Sequence, residues 1–444
     1  MLSKVYLLLL LLSLGMKYSA AGLFDLRAGE DNFAPSNSFS LRRVISDVSD
    51  AFSGKRLVTE LDGLRGLFVM LRHMTMNQAF NNMDNLYDIN DKQGKLQRRM
   101  SRAEKFPCDL SSNARSFTTP TSINRLRPGD IDIVASLGDS LSAGNGEISD
   151  NIVHILNEFR GISFTGGGHG DWRSFLTLPN ILKVFNPNLY GYSTENGLTV
   201  DSVSRLNIAE PMVMSRDLPF QARVLIDRMR HDPHVDMVNH WKLLTIFVGN
   251  NDICSDMCHY EHISTFLKHH EMDLRSCLTI LRDNVPRLLV NLVPAPNMAT
   301  SLHKMSNVPL VCSAMHTIGC HCIFSDLITA VELEVAAHNV NSWHAVEEYV
   351  ASLPEFNTEN FAVVFQPFTA NITMPTMRTG DVDLRFFASD CFHFSQKGHA
   401  AAANSLWNNM LEPVGQKKAG SFSIFERFEC PTAERPYIAT LQNS

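Results

Sequence analysis

The sequence has no basic excess and no internal repeat, and past its first residues it has no long apolar run. Its 39 Lys and Arg stand against 46 Asp and Glu, a formal net charge of −7 over 444 residues. Nucleic-acid binding draws on a concentrated basic face, so no nucleic-acid partner is expected. The same balance gives no strong pull toward anionic lipid, and contact with a bilayer or micelle would rest on exposed apolar or aromatic side chains. No window after the start holds the roughly 20 uninterrupted apolar residues of a spanning helix. The chain closes on Ala439-Thr-Leu-Gln-Asn-Ser444, with no hydrophobic tail, so no transmembrane anchor is expected. There is no low-complexity tract. No paired Cys-x-x-Cys set occurs and the histidines lack metal-ligand spacing, so neither a metal nor an organic cofactor is expected.

The first residues are different. Met1-Leu-Ser-Lys4 leads into an almost wholly apolar run from Val5 to Leu14, followed by Ser19-Ala-Ala21. That run is too short to span a bilayer, and small residues at 19 and 21 suit cleavage before Gly22, so residues 1–21 read as a secretory signal peptide. Nine cysteines fit an extracellular, oxidising location: Cys108, Cys254, Cys258, Cys277, Cys312, Cys320, Cys322, Cys391 and Cys430. Disulfides are the default there; the odd count leaves one thiol over, and connectivity is not legible. Asn371-Ile-Thr373 is an N-glycosylation sequon.

With 44% apolar residues the chain can support a large core. Residues 22–125 read as a helical N-terminal segment, with helical stretches at Ser40 to Phe52 and Glu60 to Phe80; Leu64, Leu67, Leu71 and Met74 form a packing stripe. From residue 126 to 415 strand and helix patterns alternate. Strands are expected near 131–136, 204–209, 243–248, 287–293 and 361–366, and helices at 219–230, 262–282, 326–352 and 396–411. This predicts a three-layer αβα sandwich around a mainly parallel five-stranded sheet in the flavodoxin-like order 2-1-3-4-5. Residues 416–444 are left as a tail. The insert from Arg160 to Tyr192 is expected to form a flap, its Gly166-Gly-Gly168 allowing either close approach to a substrate or a mobile loop.

Three strand ends carry candidate chemistry. The apolar strand from Ile131 runs into Gly138-Asp139-Ser140, which would hold a Ser hydroxyl at the strand's carboxyl end, where open α/β sheets bind ligands. Asp390-Cys-Phe-His393 places a carboxylate three residues before an imidazole: Asp390 can accept the Nδ1 proton and leave Nε2 to act as a base toward Ser140. The strand ending in Gly249-Asn250-Asn251-Asp252 supplies an amide donor, Asn251, for a developing oxyanion. Each element alone also makes an ordinary turn. Together, in this order, they point to acyl transfer through a Ser nucleophile.

These blocks resemble the GDSL lipases of the SGNH hydrolase superfamily. The phospholipase B subfamily is resembled further in Arg160-Gly-Ile-Ser-Phe, Thr177-Leu-Pro-Asn-Ile-Leu182, Asp217-Leu-Pro-Phe-Gln-Ala-Arg223, Gly249-Asn-Asn-Asp-Ile-Cys254 and Leu406-Trp-Asn-Asn-Met-Leu-Glu-Pro-Val-Gly415. The resemblance implies Ser140 as nucleophile, His393 as acid/base, Asp390 as its orienter, and Ser140 N–H with Asn251 as oxyanion donors. Gly138, Asp139, Gly249 and Asp252 support those motifs. One block departs from the pattern: where the family usually places a third oxyanion donor on a Gly, this chain has Met212, a residue that tolerates positive φ poorly.

The implied activity is hydrolysis of acyl esters of glycerophospholipids and lysophospholipids, at a micelle or membrane surface, by a secreted enzyme. The alternatives are a carbohydrate or short-chain ester hydrolase of the same superfamily, and a secreted lipid-binding protein with a site impaired at Met212.

Overall fold

The computed structural model describes residues 72, 75, 83–110, 114–301, 308–325, 328–370, 372–418 and 422–444. The expected signal peptide, the helix at Ser40 to Phe52, most of Glu60 to Phe80, and Asn371 lie outside the described residues. Arg72 and Thr75 are helical.

Four near-continuous apolar runs become parallel strands: β1 (Ile131–Gly138), β2 (Trp241–Phe247), β3 (Leu288–Val293) and β4 (Phe361–Phe365), in the order β1-β2-β3-β4. Runs of this kind, with no polar alternation, suit strands covered on both faces. The pairing aligns Leu137, Ile246, Leu292 and Phe365 in one row across the sheet. The longer helices are α1 (Met83–Lys92), α2 (Leu178–Phe185), α3 (Leu218–His231), α4 (Ile263–Asn284), α5 (Leu310–Gly319), α6 (Ala330–Ser352) and α7 (Gln396–Leu411). Period-2 alternation splits the strand side chains between two cores. On one face Leu244, Ile246, Val290 and Val363 pack with Leu225 and Met229 of α3 and Leu278 and Leu281 of α4. On the other, Leu243, Leu289 and Val364 pack with Ile181 of α2, Trp343 of α6, and Ala402 and Leu406 of α7. The three-layer αβα sandwich is thus as expected.

Among the described residues the sheet has four strands, not five. The expected strand at 204–209 makes one bridge to β1, Ser136 with Asn207, and a second bridge pairs Ile133 with Tyr190. Pairing is cut short on one side where Arg205 turns into positive φ (44°), and on the other where Gln221 takes the Gly138 N–H and Ile208 O that a continued ladder would join. The two bridges still lie on the open edge of β1, where the missing strand of a 2-1-3-4-5 order would sit.

The insert at 160–192 is no flap. Arg160, Phe164, Trp172 and Leu176 are buried, and α2 within it packs on the sheet. The close approach its glycines allow is to the protein itself: a Cβ on Gly168 would lie 2.1 Å from the Tyr192 ring. Residues 422–444 pack on the domain, with Ile438 buried and donating its N–H to Leu126 O.

Four disulfides join Cys108 to Cys430, Cys254 to Cys320, Cys258 to Cys322 and Cys312 to Cys391, and Cys277 is a buried free thiol. Among the described residues, no helix is long and apolar enough to cross a membrane.

Candidate active site

β1 delivers Ser140 through a turn that its neighbours dictate. Gly138 has φ 137°, and a Cβ there would lie 2.0 Å from Phe247 O, so no other residue lets the end of β1 run this close to β2. Asp139 then caps a single helical turn, Ser140–Ala143, by accepting the Leu141 N–H at 3.0 Å. Its second oxygen accepts from Asn250 Nδ2 at 2.8 Å. Burial pushes the Asp139 carboxyl up to about 6, against the pull of these hydrogen bonds. At the end of β2, Gly249 (φ 110°) passes the Trp343 indole, and Asn251 begins a wide π-helical turn, Asp252–Asp256.

The loop before α7 closes the arrangement. His393 Nε2 stands 2.8 Å from Ser140 Oγ, and its Nδ1 stands 2.6 Å from Asp390 Oδ2. Asp390 Oδ1 accepts the N–H groups of Phe392 and His393, each at 3.1 Å, which fixes the carboxylate beneath the ring. Burial disfavours the imidazolium, but the charge and hydrogen bond of Asp390 outweigh it, so the His393 pKa is raised from its ordinary value. The Asp390 carboxyl, although buried, is held below the usual range by the same partner. Cys391, inside this loop, is tied to Cys312 on α5, and His316 of α5 hydrogen-bonds Cys391 O at 3.0 Å.

Met212 adopts the left-handed conformation, φ 64°. A Met there takes the backbone shape expected of a Gly, at a cost of roughly 1–2 kcal/mol. Its loop is clamped between the two strand ends. Glu210 N–H donates to Gly138 O at 3.0 Å, Asn251 Nδ2 donates to Val213 O at 2.9 Å, and Asp252 accepts both the N–H and the hydroxyl of Ser215. Burial pushes the Asp252 carboxyl up to about 7. Ser140, Met212, Asn251 and His393 are each partly exposed, whereas Asp139, Asp252 and Asp390 beside them are buried. The four partly open residues come from four separate stretches of chain. Such a grouping can take a proton from a hydroxyl at His393 and hold a negative oxygen at amide donors.

Some supporting residues escaped the motif reading. Gln221 of α3 bonds both backbone groups of Gly138, Asn250 bonds Asp139, and buried Arg160 organises the chain from Asn207 to Ala209. Each lies inside a block quoted for the resemblance, but only the fold assigns its partner. Among the described residues the one grouping of metal-type donors is Cys258, His321 and Cys322, and its two sulfurs are joined in a disulfide.

The family model for GDSL-like lipase/acylhydrolase matches residues 134–406. The chain belongs to that family. Within it the chain is phospholipase B-like. It is 38% identical over 336 residues to membrane-associated phospholipase B1 of Homo sapiens and 37% identical over 332 residues to that of Mus musculus. Each match covers 74% of this chain and 22% of the relative, so the chain spans about a fifth of the length of those proteins. Similar solved structures include a phospholipase A1 from Streptomyces albidoflavus NA297, at 13% identity and a TM-score of 0.28, covering 61% of this chain and 94% of that one. An extracellular lipase from Streptomyces rimosus has 13% identity and a TM-score of 0.29, covering 60% and 94%.

Proposed function

We propose that this protein is a secreted phospholipase B-type serine esterase that removes acyl chains from glycerophospholipids and lysophospholipids. One observation carries the reading: the unbroken chain of hydrogen-bond distances from Asp390 through His393 to Ser140, 2.6 Å and 2.8 Å. His393 takes the Ser140 proton as Oγ attacks the ester carbonyl, and Asp390 holds the ring's tautomer and stabilises the imidazolium. The carbonyl oxygen becomes an oxyanion, received by the N–H groups of Ser140 and Met212 and by the Asn251 amide. His393 then protonates the leaving alkoxide, giving an acyl-enzyme and a free alcohol. Water, deprotonated by His393, attacks the acyl-enzyme, and His393 returns that proton to Ser140 Oγ as the fatty acid leaves.

The glycerolipid substrate rests on the phospholipase B relatives, and secretion on the amino-terminal pattern with four disulfides in support. The substrate is met at a micelle or membrane surface. The test is hydrolysis of a phosphatidylcholine labelled in both acyl chains, in mixed micelles, with Ser140→Ala alongside. Release of both chains by the wild type alone supports the reading. If the wild type instead cleaves only short-chain or sugar esters, the phospholipid assignment falls. A folded protein that retains lipid without turnover would overturn the enzymatic reading itself.

A further inference from the structure

Met212 raises a question the family pattern does not answer: what holds a non-glycine residue in a left-handed backbone conformation at the centre of the site. Strained backbone persists where its surroundings over-determine it. The surroundings here are four charged side chains. Arg160 donates from Nη1 to Asn207 O at 3.1 Å, from Nη2 to Ala209 O at 2.6 Å and to Thr199 Oγ1 at 2.9 Å, and it pairs with Glu158. Arg72, 5% exposed, reaches the same place from the N-terminal segment: its Nη1 donates to Glu210 Oε2 at 2.7 Å and its Nε lies 2.7 Å from Glu158 Oε1. The Thr199 hydroxyl meets the other Glu210 oxygen. Glu210 is thereby held from both carboxylate oxygens and at its own N–H, two residues before Met212.

We propose that Arg72 is a positioning residue for the esterase site, acting through Glu210 to keep Met212 in the conformation its oxyanion role requires. This rests on the function proposed above. It gives part of the N-terminal segment a task in the reaction, since Arg72 lies upstream of the stretch that matches the family model. It also accounts for the departure at Met212. A Gly needs little help to hold positive φ, whereas a Met needs a buttress. Take Arg72 away, and Glu158 and Glu210 lose a guanidinium that contacts both of them, while the loop start loses a charged tether.

The test is a double-mutant cycle on the full chain: wild type, Arg72→Ala, Met212→Gly and the double variant. Steady-state kinetics use a water-soluble short-chain p-nitrophenyl ester, and the rate at which a fluorophosphonate labels Ser140 is measured in parallel. The quantity read is the kcat ratio with and without Arg72 inside each background, so whatever Met212→Gly does alone cancels. With Met212 present, losing Arg72 should lower kcat by about tenfold or more, with KM within about threefold, as for a weakened oxyanion donor. In the Met212→Gly background the same loss should cost less than about threefold, because residues linked through one hydrogen-bonded network couple. Glu210→Gln, which keeps the side-chain shape, is run as a second perturbation in case Arg72→Ala lowers the folded population, and it should show the same dependence on Met212. Equal kcat ratios in both backgrounds, or an unchanged kcat for Arg72→Ala, would overturn the inference while leaving the esterase reading standing. A folded wild type that neither turns over ester nor labels would overturn both.

Discussion

Gln221 grips both backbone groups of Gly138. Its Oε1 accepts the Gly138 N–H and its Nε2 donates to Gly138 O, each at 2.9 Å, and Nε2 also reaches Ile208 O at 3.3 Å. One side chain on α3 thus sets the height at which β1 ends, and with it the start of the turn that carries Ser140. It does so at the sheet edge, where β1 has only single bridges to pair with.

Gln221→Leu should therefore damage stability and activity together. It leaves the buried Gly138 N–H without its side-chain partner, at about 1–3 kcal/mol, while Gly138 O keeps the Glu210 N–H. Chemical denaturation should show an unfolding free energy lower by about 2 kcal/mol or more, with kcat reduced in the folded variant. An unchanged denaturation midpoint would mean that the bridge carries no net stability.

Ser140→Ala should remove turnover and fluorophosphonate labelling while the melting temperature stays close to that of the wild type. Ser140 is partly exposed, and its hydroxyl contacts His393, so no buried group loses a needed partner. Residual hydrolysis at the wild-type rate would sink the nucleophile assignment.

Much of this was legible in the sequence, and for identifiable reasons. Strands buried on both faces read as apolar runs, so β1 to β4 fall close to their expected positions, and α7 lies where the Gln396 to Leu411 pattern put it. The fifth strand is absent because Arg205 turns into positive φ and Gln221 takes the Gly138 N–H and Ile208 O, and the second of these depends on contacts distant in sequence. Ser140, Asp390 and His393 announce themselves by residue type and spacing. Arg72 and Gln221 do not: an Arg in a helical stretch and a Gln in an amphipathic helix look like surface residues until the fold supplies Glu210 and Gly138. The disulfide partners were equally hidden, since Cys254 with Cys258 pairs across to Cys320 with Cys322 rather than within either short motif.

Asn251→Ala removes a side-chain donor whose amide also holds Val213 O at 2.9 Å, one residue beyond Met212. Loss of one oxyanion donor typically costs about two to three orders of magnitude in kcat. The expectation is a fall of at least about a hundredfold in kcat with a small change in KM, since the donor acts on charge that develops in the transition state. A variant whose KM rises while kcat holds would assign Asn251 to substrate binding instead.

The final prediction concerns pH. His393 must be neutral to accept the Ser140 proton, and its pKa lies above the ordinary 6.5 because Asp390 outweighs the effect of burial. The acid limb of kcat/KM should therefore fall off at a pH above 6.5, with activity rising as pH increases through the raised pKa. Stability runs the other way. A group with a raised folded pKa contributes stability that is fully present below its unfolded pKa and is lost as pH rises through the folded one. Across one pH window, then, the His393–Asp390 pair should weaken as a stabilising contact while the site gains activity. Asp390→Asn separates the two effects: it removes the charge that raises the imidazole, so the acid limb should move to lower pH while the plateau kcat falls by about 10⁴, as expected when the ring loses its tautomer partner. The check is a pH–rate profile and a melting-temperature series for wild type and Asp390→Asn over the same buffers. An acid limb that stays in place in the variant would show that Asp390 does not set the His393 pKa.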